Sequence, residues 1–243
     1  MVNLEDLAIS QLNDLNLPDS ILIIPDGNGR WAKSQNLGTS EGHKTGGIKL
    51  MEVLKQFLKL KTKVIGIWGF SEDNWKRDKE EIDGIMSVIK NTIEDNMDTF
   101  MENNVRFIRL GKEERLRNEY PEVFETLRKA EEDTKGNDGK ILAVFLDYGE
   151  RFQLEEFARE REKDKETPTY ELLSKINKGL PLFDMVIRTS GELRTSGFGP
   201  LATLAEYVII EKNLPEIGKN DFAQALIEYS QRQRRFGGRN LGK

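Results

Sequence analysis

Asp26, Gly27, Asn28, Gly29, Arg30 and Trp31 form one run directly after the apolar stretch Ile21–Ile24 and Pro25. Glycines let backbone N–H groups approach an anion, and a helix starting there adds a positive dipole. Asp26 repels phosphate, so its presence points to a bridging metal ion. On these residues alone two other readings stay open. One is a Pro-Asp-Gly turn. The other is a dinucleotide loop, because Gly27-x-Gly29-x-x-Ala32 has that spacing. A dinucleotide loop expects an acid roughly 20 residues on, whereas the next strand ends only at Glu72 and Asp73.

Two later loops carry comparable chemistry. "GFSEDNWKR" places Phe70, Ser71, Asn74, Trp75 and Arg77 at the end of an apolar run. Ser71 followed by Asn74 also approximates a helix cap, and Trp75 could belong to the core. "IRTSGELRTSGF" places Arg188, Ser190, Arg194 and Ser196 in one loop. Guanidinium groups take phosphate oxygens in bidentate fashion and the hydroxyls add neutral donors, which favours an anion site over a solvated loop. Glu192, between the arginines, is placed to orient one of them. His43, in "EGHKTGG" before an expected helix, suits either a structural role or a phosphate contact. The tail "RQRRFGG" carries Arg232, Arg234, Arg235 and Gly237, and reads as a solvated helix end or as an arm reaching a phosphate.

Bulk properties narrow the classes. With 243 residues the chain can bury a sizeable core. Charged residues make up 33% and hydrophobic ones 37%, and the net charge of -5 argues against a general nucleic-acid binder. There is no cysteine, which removes thiol nucleophiles and cysteine-ligated zinc. The only histidine lacks a G-x-S-x-G elbow to work with. A metal site must then rest on carboxylates, which favours a hard ion such as Mg²⁺. No apolar run approaches the ~20 residues of a membrane span. "MVNLEDLAIS" has no basic segment ahead of an apolar one, so a cytoplasmic protein is expected.

The elements that must position these residues follow from periodicity. Strands are expected at Ile21–Ile24, Val64–Phe70, Val105–Leu110, Ile141–Leu146, Met185–Ile187 and Tyr207–Ile210. Several are apolar throughout, as in strands covered on both faces. Helices are expected between them, including one from Gly46 and a long one from Lys79 to Asn103 with Ile82, Ile85, Met86, Ile89, Ile93, Met97, Phe100 and Met101 on one face. "TKGNDGK" reads as a turn, and "REREKDKETP" as a solvated charge run before a helix. The expectation is one α/β domain over residues 1–243, with a mainly parallel sheet of six strands surrounded by helices. Two anion loops around one carboxylate, beside an Ile/Met-rich helix, suit a molecule with a diphosphate head and a hydrocarbon tail.

"DGNGRWA", "GHKTGG", "FSEDNWKR", "IRTSGELRTSGF" and "RQRRFGG" occur in the order and spacing of the cis-prenyltransferases, the undecaprenyl diphosphate synthase family, over about residues 20 to 239. The resemblance implies a homodimer with a hydrophobic tunnel walled by the Ile82–Met101 face. It implies condensation of isopentenyl diphosphate with an allylic prenyl diphosphate. The allylic diphosphate would lie on Asp26–Arg30, with Mg²⁺ held at Asp26. Isopentenyl diphosphate would be held by Arg188, Arg194 and Ser196, and by the Arg235–Gly238 arm of the neighbouring subunit. Glu206 would serve the metal region across the dimer. Asn28 and Asn74 would assist orientation and proton removal, with Trp31, His43, Phe70, Ser71, Trp75 and Arg77 at the same site. Transient membrane contact during product release is compatible with this picture, and no nucleic acid is expected.

The sequence departs from the family pattern at several points. Ser20 stands where a His commonly opens the first strand, Pro25 replaces a Met, and Thr39 replaces an Arg. "DYGER", Asp147–Arg151, replaces an Asn-Tyr-Gly-Gly-Arg-like stretch. Ser196–Glu206 lacks the usual Trp-Gln and is one residue shorter. Such changes resemble side branches of the family that make irregular terpenoids. Retention of Asn28, Asn74 and Trp75 favours head-to-tail condensation. A non-catalytic partner subunit is disfavoured by the intact Asp26–Arg30 loop.

Overall fold

The computed structural model describes residues 9–234. Six strands, β1 (Ser20–Ile24), β2 (Val64–Ser71), β3 (Val105–Leu110), β4 (Lys140–Tyr148), β5 (Met185–Thr189) and β6 (Glu206–Ile210), form one sheet in the order β3-β4-β2-β1-β5-β6. Every pairing is parallel, so the expected mainly parallel sheet is parallel throughout. Alternation sorts the side chains onto two covered faces. Ile21, Ile23, Ile65, Ile67, Leu142 and Val144 face one core. Leu22, Ile24, Val64, Trp68, Ala143 and Phe145 face the other, which also holds Phe183 and Phe198.

Helices fill the connections: α1 (Asn28–Ser34), α2 (Thr39–Phe57), α3 (Lys79–Glu94), α4 (Met97–Glu102), α5 (Glu114–Glu119), α6 (Pro121–Asp133), α7 (Glu150–Lys163), α8 (Thr169–Ile176) and α9 (Lys219–Ser230). Three expectations change. The helix expected over Lys79–Asn103 is two helices, broken at Asp95 and Asn96, because Asn96 leaves helical geometry at φ -119°. The apolar period runs across the break because both pieces face the same core, with the exception of Met101, which is 47% exposed. Helix α2 begins at Thr39 and not at Gly46, so His43 lies inside a helix. The charge run begins inside α7, which extends to Lys163.

The glycines of α2 make that helix possible where it is. A Cβ on Gly46 would come within 2.2 Å of Asn28 Oδ1, and one on Gly47 within 2.8 Å of Val88. Only glycine lets α2 approach both the first loop and α3 this closely.

Candidate active site

The connection leaving β1 runs to β2 on one side, and the connection leaving β5 runs to β6 on the other. The carboxyl ends of β1 and β5 are neighbours, with Ile24 opposite Arg188. This is the crevice where an open parallel sheet binds ligands. Asp26 follows one strand and Arg188 ends the other, so topology alone brings them together.

The first loop is fixed by its neighbours. The Asp26 N–H donates to Thr189 Oγ1 at 2.7 Å, and the Thr189 hydroxyl donates back to the Asp26 carbonyl at 2.6 Å. Gly27 has φ +98°, and a Cβ there would meet Asn213 Oδ1 at 2.4 Å and Ser190 Oγ at 2.8 Å. A side chain at this position is excluded on both counts.

Charge alternates around the loop. Asp26 Oδ2 accepts from Arg188 at 2.9 Å, and Oδ1 accepts from Arg30 at 2.9 Å. Arg30 also donates to Glu192 Oε1 at 2.7 Å, and Arg194 donates to Glu192 Oε2. Arg188 donates to Ser196 Oγ at 2.9 Å and to the Arg194 carbonyl, which closes the ring. Burial alone would push the Asp26 carboxyl up, but hydrogen bonds and charge from Arg188 and Arg30 hold it below its usual value. It is an anion at neutral pH. Two buried polar atoms here have no hydrogen-bond partner, Arg188 Nε and Asn28 Oδ1. Orphaned buried polar atoms are rare, and both line this crevice.

A second network joins α2 to the β2 loop. His43 Nδ1 lies 3.3 Å from Asn28 Nδ2, and His43 Nε2 lies 3.2 Å from Glu81 Oε1. Arg77 donates to the same Glu81 oxygen at 2.7 Å. Burial pushes the His43 imidazole below its usual value; Glu81 opposes this and Arg77 adds to it. The ring is neutral at pH 7. Asn74 Oδ1 accepts from the Ser71 N–H at 2.9 Å, so the cap expected from sequence exists and leaves the Asn74 amide N–H₂ for other contacts.

These groups line a polar basin of about 470 Å³. Asp26, Gly27, Asn28, Gly29, Arg30, His43, Ser71, Asn74, Arg77, Arg188, Arg194 and Ser196 are all brought to it. Phe70 is not, being 1% exposed and directed into the core. Trp75 packs edge-on to Phe70 at 4.8 Å and under the Arg115 guanidinium at 4.1 Å, lining a separate cleft beside Asp147. Trp31 is half-buried on α1 and does not line the basin. Glu206 opens β6 opposite Met185, at the other end of the sheet, and pairs with Arg232 at 3.2 Å. Within one protomer it does not approach Asp26. Arg235 and Gly237 lie outside the described residues. Glu81 and Trp68 also line the basin, and no motif in the sequence marks them as site residues. Glu81 carried one local signal, its position four residues after Arg77 at a helix start.

An apolar cavity of about 100 Å³ adjoins the basin, lined by Leu50, Met51, Leu54, Ile89, Phe100 and Leu142 among others. Pro25, Asn28, His43, Gly69 and Ile85 line both spaces, so one opens into the other.

The undecaprenyl diphosphate synthase family model matches residues 24–237. An isoprenyl transferase of Rhodopirellula baltica is 34% identical over 241 residues, covering 95% of this chain and 98% of that protein. One from Fusobacterium nucleatum is 36% identical over 228 residues, covering 92% and 97%. Among solved structures, lavandulyl diphosphate synthase from Lavandula x intermedia, in complex with dimethylallyl diphosphate, superposes with a TM-score of 0.83 at 25% identity, covering 93% of this chain and 99% of that one. A probable undecaprenyl diphosphate synthase from Campylobacter jejuni gives a TM-score of 0.74 at 25% identity, covering 92% and 100%.

Proposed function

This chain belongs to the undecaprenyl diphosphate synthase family of cis-prenyltransferases, and from that premise we propose how its residues divide the work. The reaction is cis elongation of a prenyl chain: isopentenyl diphosphate condenses with an allylic prenyl diphosphate and diphosphate leaves. The observation that carries the assignment of the site is the junction itself. A basin ringed by guanidinium groups opens directly into an apolar cavity, as an amphiphile with an anionic head requires.

The allylic diphosphate lies on Gly27–Arg30, with Arg30 as its cationic ligand. Isopentenyl diphosphate is held by Arg188, Arg194 and Ser196. Holding both together supplies most of the entropic advantage. As the allylic C–O bond breaks, negative charge grows on the departing diphosphate, and the arginines stabilise it. Asn28 and Asn74 orient the reacting pair and assist removal of the proton that restores the double bond. Neutral His43, held between Asn28 and Glu81, fixes the Asn28 amide.

Asp26 is the residue that would hold Mg²⁺. Its donor fits: the Asp26 carboxylate is ionised, and Mg²⁺ is commonly bound by one or two carboxylates together with substrate phosphate oxygens. When bound, the ion would add charge neutralisation at the leaving diphosphate. A homodimer belongs to the same proposal, since Glu206 does not approach Asp26 within one protomer and the resemblance assigns the Arg235–Gly238 arm to a neighbouring copy. So do a single catalytic domain over 1–243 and a cytoplasmic setting. Transient membrane contact during product release is part of the same proposal; no helix among the described residues is long and apolar enough to cross a membrane.

The test is an incubation with Mg²⁺, labelled isopentenyl diphosphate and allylic primers of several lengths, followed by product analysis. Incorporation into longer chains is expected. No incorporation with any primer overturns the reading. Products from dimethylallyl diphosphate alone would replace elongation by irregular coupling.

A further inference from the structure

Glu192 bridges the two groups of residues that the proposed reading assigns to the two diphosphates. Its Oε1 accepts from Arg30 at 2.7 Å, and its Oε2 accepts from Arg194. Arg30 lies in the first turn of α1, directly beyond β1, and Arg194 in the loop after β5. Both arginine side chains are largely exposed, at 50% and 63%, whereas Glu192 is at 19%. Left to themselves, two long exposed side chains would sample many rotamers. The base beneath Glu192 is fixed: the Ser190 N–H donates to the Lys212 carbonyl at 2.8 Å and the Gly191 N–H to the Ile210 carbonyl at 3.1 Å.

Glu192 does not itself line the basin, but it holds two arginines that do. A carboxylate so close to an anion site works against anion binding, so its place there calls for another reason. Each guanidinium has five N–H donors in a planar fork. Arg194 spends one on Glu192, and Arg30 spends one on Glu192 and one on Asp26. Most donors of both forks remain for phosphate oxygens, while one carboxyl group fixes the distance between the forks.

We propose that Glu192 is a positioning residue that sets the spacing of Arg30 and Arg194, and through them the spacing of the two bound diphosphates. It does not touch either substrate. Its effect appears in the reaction of the bound pair and not in the capture of each substrate.

This inference rests on the diphosphate assignment above, and the experiment separates the two. Steady-state kinetics and binding of isopentenyl diphosphate alone are measured for wild type, Glu192→Gln and Glu192→Asp, with circular dichroism to check the fold. In Glu192→Gln, kcat is expected to fall roughly 10- to 100-fold, the scale of a misplacement near 1 Å. KM and the single-substrate Kd should stay level or fall, because a repelling charge is gone. Glu192→Asp keeps the charge but loses the reach, so its kcat should stay low. Unchanged kcat in Glu192→Gln, a loss explained by raised Kd, or full recovery in Glu192→Asp overturns the positioning role. Failure of the wild type to bind isopentenyl diphosphate overturns the diphosphate assignment itself.

Discussion

Arg188 is buried to 4% side-chain exposure, and its carboxylate partner among the described residues is Asp26, 2.9 Å away. The expected metal ligand is thus also the counter-ion of a buried cation. Truncating one member of a fully buried pair costs about 3–5 kcal/mol, because the other charge is stranded. Asp26 is 29% exposed, so Asp26→Ala should cost somewhat less, about 2–3 kcal/mol. For a chain of this size that lowers Tm by roughly 5–10 °C. Turnover should be lost as well. Added pyrophosphate should restore part of the Tm by supplying an anion to Arg188. An unchanged Tm in the variant would show that solvent already satisfies Arg188.

His43 is the only histidine, so its titration can be followed by proton NMR without assignment ambiguity. Burial lowers its pKa below the usual 6.5, with Glu81 opposing and Arg77 assisting. The unfolded chain therefore binds more protons just below pH 6.5, and stability falls as pH drops through that window. Glu81→Gln should move the midpoint lower still, and Arg77→Ala should move it higher. A midpoint above 6.5 in the wild type would contradict the buried, neutral ring.

Much of this arrangement is legible in the sequence because it is local. The strands show as apolar runs since both faces of the sheet are covered, and Val105–Leu110 has the expected bounds. The loops beyond β1, β2 and β5 are visible because polar groups follow those runs. What connects them is not visible. Arg30 and Glu192 are 162 residues apart, and His43 and Glu81 are 38 apart. No spacing rule reports such pairs; only the strand order brings them together. Trp75 shows the converse, since its place in the motif says nothing about which side of its loop it faces.

Asp147 is one of the departures from the family pattern, and the structure gives it a cost. The residue is 4% exposed at φ +50°, a conformation that Asn adopts as readily as Asp. Burial raises its pKa, with the Trp75 indole and the charges of Lys112 and Arg115 pulling the other way and Glu72 adding to the rise. A carboxyl whose folded pKa lies above its unfolded value loses stability as pH rises through the window between them. Asp147→Asn should remove that loss and stabilise the protein at pH 7–8 by roughly 0.5–2 kcal/mol. Denaturant melts at pH 5 and pH 8 check this. Equal stabilisation at both pH values would show that the charge is not the cause.

The apolar cavity is too small for the chain that elongation would build. At about 100 Å³ it falls short of the ~150 Å³ cavity that holds one benzene, so roughly one five-carbon unit fits. Longer products need the walls to part. Helices α2 and α3 form two of those walls, and the Val88 side chain of α3 packs directly against the Gly47 backbone of α2. The far end is closed by Met51, Leu54, Phe100 and Leu142, which also line a smaller space beyond. Phe100 is braced there by the Phe107 ring, 6.3 Å away and near parallel. Phe100→Ala should join the two spaces, lengthen the products, and cost about 3–5 kcal/mol of stability. Gly47→Ala should do the reverse: its Cβ would press on Val88, forcing the helices to shift or resist parting, and the products should shorten. Chromatography of the products from one primer decides it. Unchanged lengths in both variants would place the hydrocarbon chain elsewhere.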